Sequence, residues 1–184
     1  MKMIHRELNL NFQLDTNRIN SRGKLENMNR LEYWDKRNII SILYSDTMID
    51  EAIADNDVLR TEKAWSDVFT KTSDDAHLHH VMLRQIESIV FPNGAKTQNE
   101  RNDVQIVFTA WKYGRTLITN DGGSKRQPGG ILGNQETLRK LGIKVTSDDE
   151  AVKLVIEKLR ERDEIARRIA EILGEPLPDW LGQD

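Results

Sequence analysis

Short strand-like runs at residues 8–14, 39–44, 115–119 and 143–145 alternate along this chain with helical stretches at 24–36, from 47 onward, 57–89, 103–113, 135–141 and from 147. Such alternation predicts an α/β fold around a mainly parallel sheet. Leu8-Asn-Leu-Asn-Phe-Gln-Leu14 carries apolar residues mostly at every second position, the period of a half-buried strand. Val104, Val107, Phe108 and Trp111 instead follow helical spacing, Gly114 stops that helix, and Leu117 and Ile118 read as a short buried strand. Pro92-Asn93-Gly94 breaks the helix-rich region before it.

Acids stand at the junctions. Asp15 follows the first strand, the second strand delivers the helix carrying Glu51, Asp103 is expected at a helix start, and Asp121 lies just past a strand. In an open α/β sheet, ligands collect beyond the carboxyl ends of the strands. Carboxylates there, in a chain without cysteine, suit hard cations such as Mg²⁺ or Mn²⁺. Taken singly, each acid has an ordinary use. Asp15 could cap or turn, Glu51 competes with Asp46 and Asp50, Asp103 could be an N-cap or first-turn residue, and Asp121-Gly122 could be a plain turn. Their joint order and setting select the metal site.

The segments "LDTNRI", "SDTMIDEA" and "NDVQIVFTAWKYGRTLITND" carry these acids, and the ordered set resembles the PIN domain family of metal-dependent nucleases. The resemblance implies a PIN-like three-layer α/β/α domain over residues 1–160, with 161–184 as a C-terminal helical extension and tail. It implies that Asp15, Glu51, Asp103 and Asp121 hold Mg²⁺ or Mn²⁺ directly or through waters. The implied activity is endonucleolytic cleavage of single-stranded RNA, leaving 5′-phosphate and 3′-hydroxyl ends. In the family a hydroxyl or amide near the first acid supports metal or substrate, which points to Thr16 and Asn17. Many small members are ribonuclease toxins, so RNA, an antitoxin protein and a second copy of the chain are the partners to consider. One alternative is a PIN-fold module that binds RNA or protein without efficient catalysis, against which the four acids argue. Another is a metal-dependent phosphatase, but Asp15-Thr-Asn17 lacks the second acid of the usual Asp-x-Asp motif.

A net charge of -3 and a pI near 5.9 mean that any binding of nucleic acid must be local. Basic residues flank the acids in sequence: Arg18, Arg22, Lys24 and Arg30 follow the first strand, and Lys125 and Arg126 follow Asp121. Asn17, Arg18, Lys125 and Arg126 are the expected substrate contacts, with solvated surface as the competing explanation. Thr119 is expected to brace its strand end, and Asn120 either orients Asp121 or makes a plain turn. The loop at 122–130 could follow a nucleic-acid backbone, or its glycines could mark a flexible linker. It lacks the phosphate-loop pattern, and no glycine fingerprint suggests a dinucleotide. His77, His79 and His80 point in different directions on a helix and are not expected to bind metal.

No apolar run approaches the roughly 18 residues that span a bilayer, and the N-terminus lacks the apolar core of a signal peptide. Absence of membrane association and a cytoplasmic location are therefore expected. Lack of cysteine agrees with a reducing compartment and excludes disulfides and thiolate zinc sites. Ser147-Asp-Asp-Glu150 opens a long amphipathic helix that Gly174 and Pro176 stop. On its far half Ile165, Ile169 and Ile172 need a surface, either the protein's own core or a partner. The tail is expected to dock through Trp180 or to stay loose.

Overall fold

The computed structural model describes residues 5–54, 56–65, 69–70, 77–125 and 127–184, with side chains at all of these except 69–70 and 77–78. Strands β1 (Asn11–Leu14), β2 (Ser41–Ser45), β3 (Phe69–Thr70), β4 (Thr116–Ile118) and β5 (Lys144–Thr146) form one sheet in the order β3-β2-β1-β4-β5. Every pairing is parallel. The helices are α1 (Glu26–Lys36), α2 (Asp46–Ala54), α3 (Val58–Trp65), α4 (His77–Val90), α5 (Gln98–Lys112), α6 (Gly130–Gly133), α7 (Gln135–Lys140) and α8 (Asp148–Leu173).

From β1 the chain moves one way to β2 and β3, then returns past β1 to β4 and β5. With right-handed crossovers, opposite directions of travel put the connecting helices on opposite faces. Accordingly α1 packs with α8, whereas α4 packs with α5 and α7. This is an α/β fold of the expected class. The direction of travel reverses between β1 and β4, so the crevice beyond their carboxyl ends is the switch point.

Burial follows the predicted patterns. Phe12 and Leu14 of β1, Leu117 and Ile118 of β4, and Ile106, Val107, Phe108 and Ala110 of α5 are all buried. Each large apolar side chain among them stabilises the fold by about 1.5–3 kcal/mol relative to exposure. Gln13 is the exception within β1, fully buried and donating through Nε2 to the Ile106 carbonyl at 2.8 Å. That bond ties the middle of α5 to the central strand.

Three boundaries differ from the sequence reading, each for a local reason. The first strand begins at Asn11 rather than residue 8, because Asn9 adopts a left-handed φ of 45° that interrupts the extended run. Helix α5 begins at Gln98, where Thr97 and Glu100 form a capping box, so Asp103 sits in its second turn and not at its start. A short strand, β3, lies within the region expected to be helical.

Helix α8 runs unbroken through residue 160, with Ala166 and Ala170 buried on its far half. Ile165 and Ile172 are exposed and Ile169 is half-buried. The tail does dock. The Arg162 guanidinium lies over the Trp180 ring at 4.4 Å, and Asp184 pairs with Arg6, with Arg37 at 3.3 Å and with Arg162 at 3.1 Å. Among the described residues, no helix is long and apolar enough to cross a membrane.

Candidate metal centre

β1 ends at Leu14, and the Asp15 amide continues the ladder by donating to the Ile118 carbonyl at 2.9 Å. Register alone therefore sets Asp15 beside Thr119, since Leu14 is paired with Ile118. Side chains two apart on a strand share a face, so Asp15 faces the same way as Gln13. Gln13 holds α5 by the carbonyl of Ile106, one turn beyond Asp103. Sheet register and one buried amide thus bring Asp15 and Asp103 to the same crevice.

Thr119 links two of the acids. Its Oγ1 donates to Asp15 Oδ2 at 2.6 Å and accepts from the Asp121 amide at 3.0 Å. Asn17 Nδ2 donates to the same Asp15 oxygen at 2.6 Å, while Asn17 Oδ1 accepts from the Asn120 amide at 3.3 Å. Thr16, on the 3-10 turn Thr16–Arg18 after Asp15, hydrogen-bonds through Oγ1 to Glu51 Oε2 on α2. Thr119 braces the strand end as expected, and it also orients the first acid.

The loop after Asp121 is built around that carboxylate. Asp121 Oδ1 accepts from the Gly123 amide at 3.1 Å and Oδ2 from the Ile131 amide at 2.9 Å. A Cβ on Gly130 would lie 2.4 Å from the Gly123 nitrogen and 2.5 Å from the Asp121 carbonyl oxygen, at a φ of +61°. Gly123, at φ +94°, would meet the Gly130 nitrogen equally closely. Gly123 and Gly130 serve close backbone approach and left-handed φ, not linker flexibility.

Asp15, Glu51, Asp103 and Asp121 all line one cavity of about 730 Å³, together with Asp46 and Asp50. Arg60 is the one cationic side chain in that wall among the described residues. Asp15 is 4% exposed, and its pKa is pushed up to about 6 by burial, against the Thr119 hydrogen bond and with repulsion from Glu51 and Asp121. Asp103 is raised further, to about 8, by burial and then by Asp15, Glu51 and Asp121. Arg60 does not offset this, since burial and the neighbouring acids set both shifts.

Among the described residues, no three acidic or imidazole groups converge tightly enough to hold an ion by themselves. The acids ring a cavity instead. Such a donor set fits Mg²⁺ or Mn²⁺, which bind through one or two carboxylates and complete their shell with waters and substrate phosphates. A small dehydrated cage, as for structural zinc, does not fit.

The expected substrate contacts divide. Asn17 lines the cavity, whereas Arg18 is turned to Asp148 at 3.3 Å. Lys125 is exposed in the loop after Asp121, and Arg126 lies outside the described residues. Of the histidines, His79 packs edge-on against Phe108 with ring centroids 5.2 Å apart. Sequence reasoning missed Gln13, whose signal was an amide inside an otherwise apolar strand end. It also passed over Gln98, Asn99, Asn102 and Gln105, amides on one helix that reach the cavity wall.

No protein-family model and no curated protein matches the chain. Solved structures of similar shape include a DNA-bound VapBC from Salmonella typhimurium, 17% identical over 76% of this chain and 98% of that one, with a TM-score of 0.47. A VapBC2 from Rickettsia felis bound to a promoter DNA fragment is 18% identical over 75% and 98% of the two chains, also at 0.47. A PilT N-terminus domain protein from Sulfolobus solfataricus is 13% identical over 80% and 95%, at 0.45. Likenesses of this size say nothing about the residues of the cavity.

Proposed function

We propose that this chain is a PIN-like endoribonuclease that hydrolyses phosphodiester bonds in single-stranded RNA with Mg²⁺ or Mn²⁺. One observation carries the reading: Asp15, Glu51, Asp103 and Asp121 line one cavity at the carboxyl end of the sheet, where β1 and β4 diverge. Acids crowded where α/β sheets bind ligands are costly to the fold and suited to holding a cation.

Asp15 would hold the ion, with Asp103 and Asp121 beside it and Glu51 acting directly or through water. The cation would supply water activation and neutralise charge on the phosphate being cleaved. Thr119 and Asn17 keep the Asp15 carboxylate in one rotamer by donating to its Oδ2, and Thr16 does the same for Glu51. The Gly123 and Ile131 amides fix Asp121. The ends left would be 5′-phosphate and 3′-hydroxyl. The reading extends to an antitoxin-type protein partner, for which the product of the adjacent open reading frame is the one to co-express, to self-association, and to action in the cytoplasm.

The test is cleavage of a labelled single-stranded RNA by the parent protein with Mg²⁺ or Mn²⁺ and with chelator. Metal-dependent cleavage with the stated ends is the expected result; chelator-insensitive cleavage, or none with either ion, would reject the reading.

A further inference from the structure

A second cavity, of about 540 Å³, opens between α4 and α5 and shares Gln105 with the acid cavity as a common wall. Its other polar residues include His80, Arg84 and Arg101, all exposed. Neither arginine makes an ion pair among the described residues. Arg84 Nε donates to the His80 carbonyl at 3.3 Å, and Arg101 donates to the Lys96 carbonyl at 3.2 Å. Glu87, the one carboxylate in this wall among the described residues, is engaged by the Ala95 amide at 2.8 Å. Elsewhere Arg18, Arg22, Arg37, Arg139, Arg162 and Arg168 are each paired with an acid, while Arg30, Arg160 and Arg167 form no ion pair among the described residues and line neither cavity.

A line of hydrogen bonds joins the two cavities. Gln98 and Asn102, both in the acid-cavity wall, are linked by Gln98 Nε2 donating to Asn102 Oδ1 at 2.8 Å. Arg101 NH2 then donates to Gln98 Oε1 at 3.3 Å. Residues 98, 102 and 105 share a helix face, over a rise of about 10 Å, which is the reach of about two to three nucleotides. Acids at one end of this path call for a cation and a phosphate; unpaired guanidinium groups at the other call for further phosphates.

We propose that the α4–α5 groove is the substrate track of this protein: a single-stranded RNA whose scissile phosphate lies over the acid cavity continues across Gln98, Asn102 and Gln105 and sets flanking phosphates on Arg101 and Arg84. The amide side chains meet base or sugar edges, and the arginines supply the local positive charge that the net charge of -3 does not. This track rests on the nuclease reading, which it deepens. An acidic protein segment would suit the same arginines, but only a nucleic acid accounts for continuity with the acid cavity.

The test uses the full chain and a fluorescent single-stranded RNA of mixed sequence. Binding is followed by anisotropy in chelator across a salt series, and cleavage is followed with Mn²⁺. The double variant Arg84→Ala/Arg101→Ala is expected to flatten the log–log salt slope by about 1.4, two phosphate contacts at about 0.7 each. KM should rise about tenfold while kcat changes less than about twofold. Arg84→Lys/Arg101→Lys should restore most of the slope, because lysine keeps the charge that a phosphate reads. Arg167→Ala/Arg168→Ala on α8 should change nothing. If the parent cleaves and the folded alanine variant keeps the parent's slope and KM, the track is overturned and the nuclease reading stands. If the parent binds RNA with the expected arginine dependence but never cleaves it, the nuclease reading falls and the groove stands. Absence of RNA binding by the parent overturns the track.

Discussion

Two groups of carboxylates shielded from solvent in whole or in part have opposite surroundings. Asp184 lies among Arg6, Arg37 and Arg162, and these guanidinium groups hold its carboxyl below the usual carboxylate range against the opposing effect of burial. Asp15 and Asp103 are raised by burial and neighbouring acids, and Arg60 in the same wall does not reverse the shift. The same side chain is a clasp in one place and a vacancy for charge in the other. Loss of one partner from a clasp destabilises the chain that contains it, whereas loss of one charge from crowded acids relieves repulsion.

Substitutions that remove charge without changing shape separate the two most sharply. Asp15→Asn should lower metal-dependent cleavage by more than about 100-fold, exceeding the 10–100-fold typical for supporting residues. Its metal-free thermal stability should match or exceed the parent's, since one source of repulsion is gone. Loss of stability together with activity would make Asp15 a structural residue. Asp184→Asn should do the reverse. It takes the acid partner from Arg6 and Arg37, while Arg162 keeps Asp163 at 2.6 Å, and should destabilise by about 2–4 kcal/mol in denaturant unfolding, at the lower side of the range for a broken buried pair because Arg6 and Arg37 are partly exposed. Its residual folded fraction should cleave at the parent's rate within about threefold.

Thr119→Val removes the hydroxyl that donates to Asp15 and accepts from the Asp121 amide, with little change of volume. Cleavage should drop about 10–100-fold through weaker apparent metal affinity, so raising Mn²⁺ should recover part of it. No recovery with metal would assign Thr119 to packing alone.

How much of this was legible in the sequence depended on range. Asp15 and Asp121 could be placed because each closes a strand, and strand ends are local signals. Glu51 was one of three acids on a short segment; all three line the cavity, and its Thr16 hydrogen bond and its repulsion of Asp15 and Asp103 distinguish it. Asp103 was read on the right helix but at the wrong height, since the Thr97–Glu100 capping box was overlooked. The close pair Gly123 and Gly130 looked like a linker, because a contact between backbones leaves only glycine as its trace. Partners of Asp184, 178 residues away at Arg6 and 147 away at Arg37, left no local pattern at all.

pH offers a smaller but signed contrast. For Asp15 and Asp103 the folded pKa values, about 6 and about 8, exceed the ordinary aspartate value of 3.8. The folded state therefore binds more protons, and metal-free stability should fall as pH rises from about 4 through 8. For Asp184 the lowered pKa has the opposite sign, with stability present above the unfolded value and lost as pH falls through the folded one. Thermal unfolding in chelator should thus decline on both the acid and the neutral side. Asp15→Asn should flatten only the neutral side, and Asp184→Asn only the acid side.

The central claim, that the crowded acids await a divalent cation, is tested most directly by calorimetric titration of metal-free protein with Mn²⁺ near pH 7.5. The account predicts saturable binding by the parent, accompanied by proton release and a rise in unfolding temperature, and loss of all three in Asp15→Asn. Equal Mn²⁺ binding by parent and variant, or no binding by the folded parent, would contradict it.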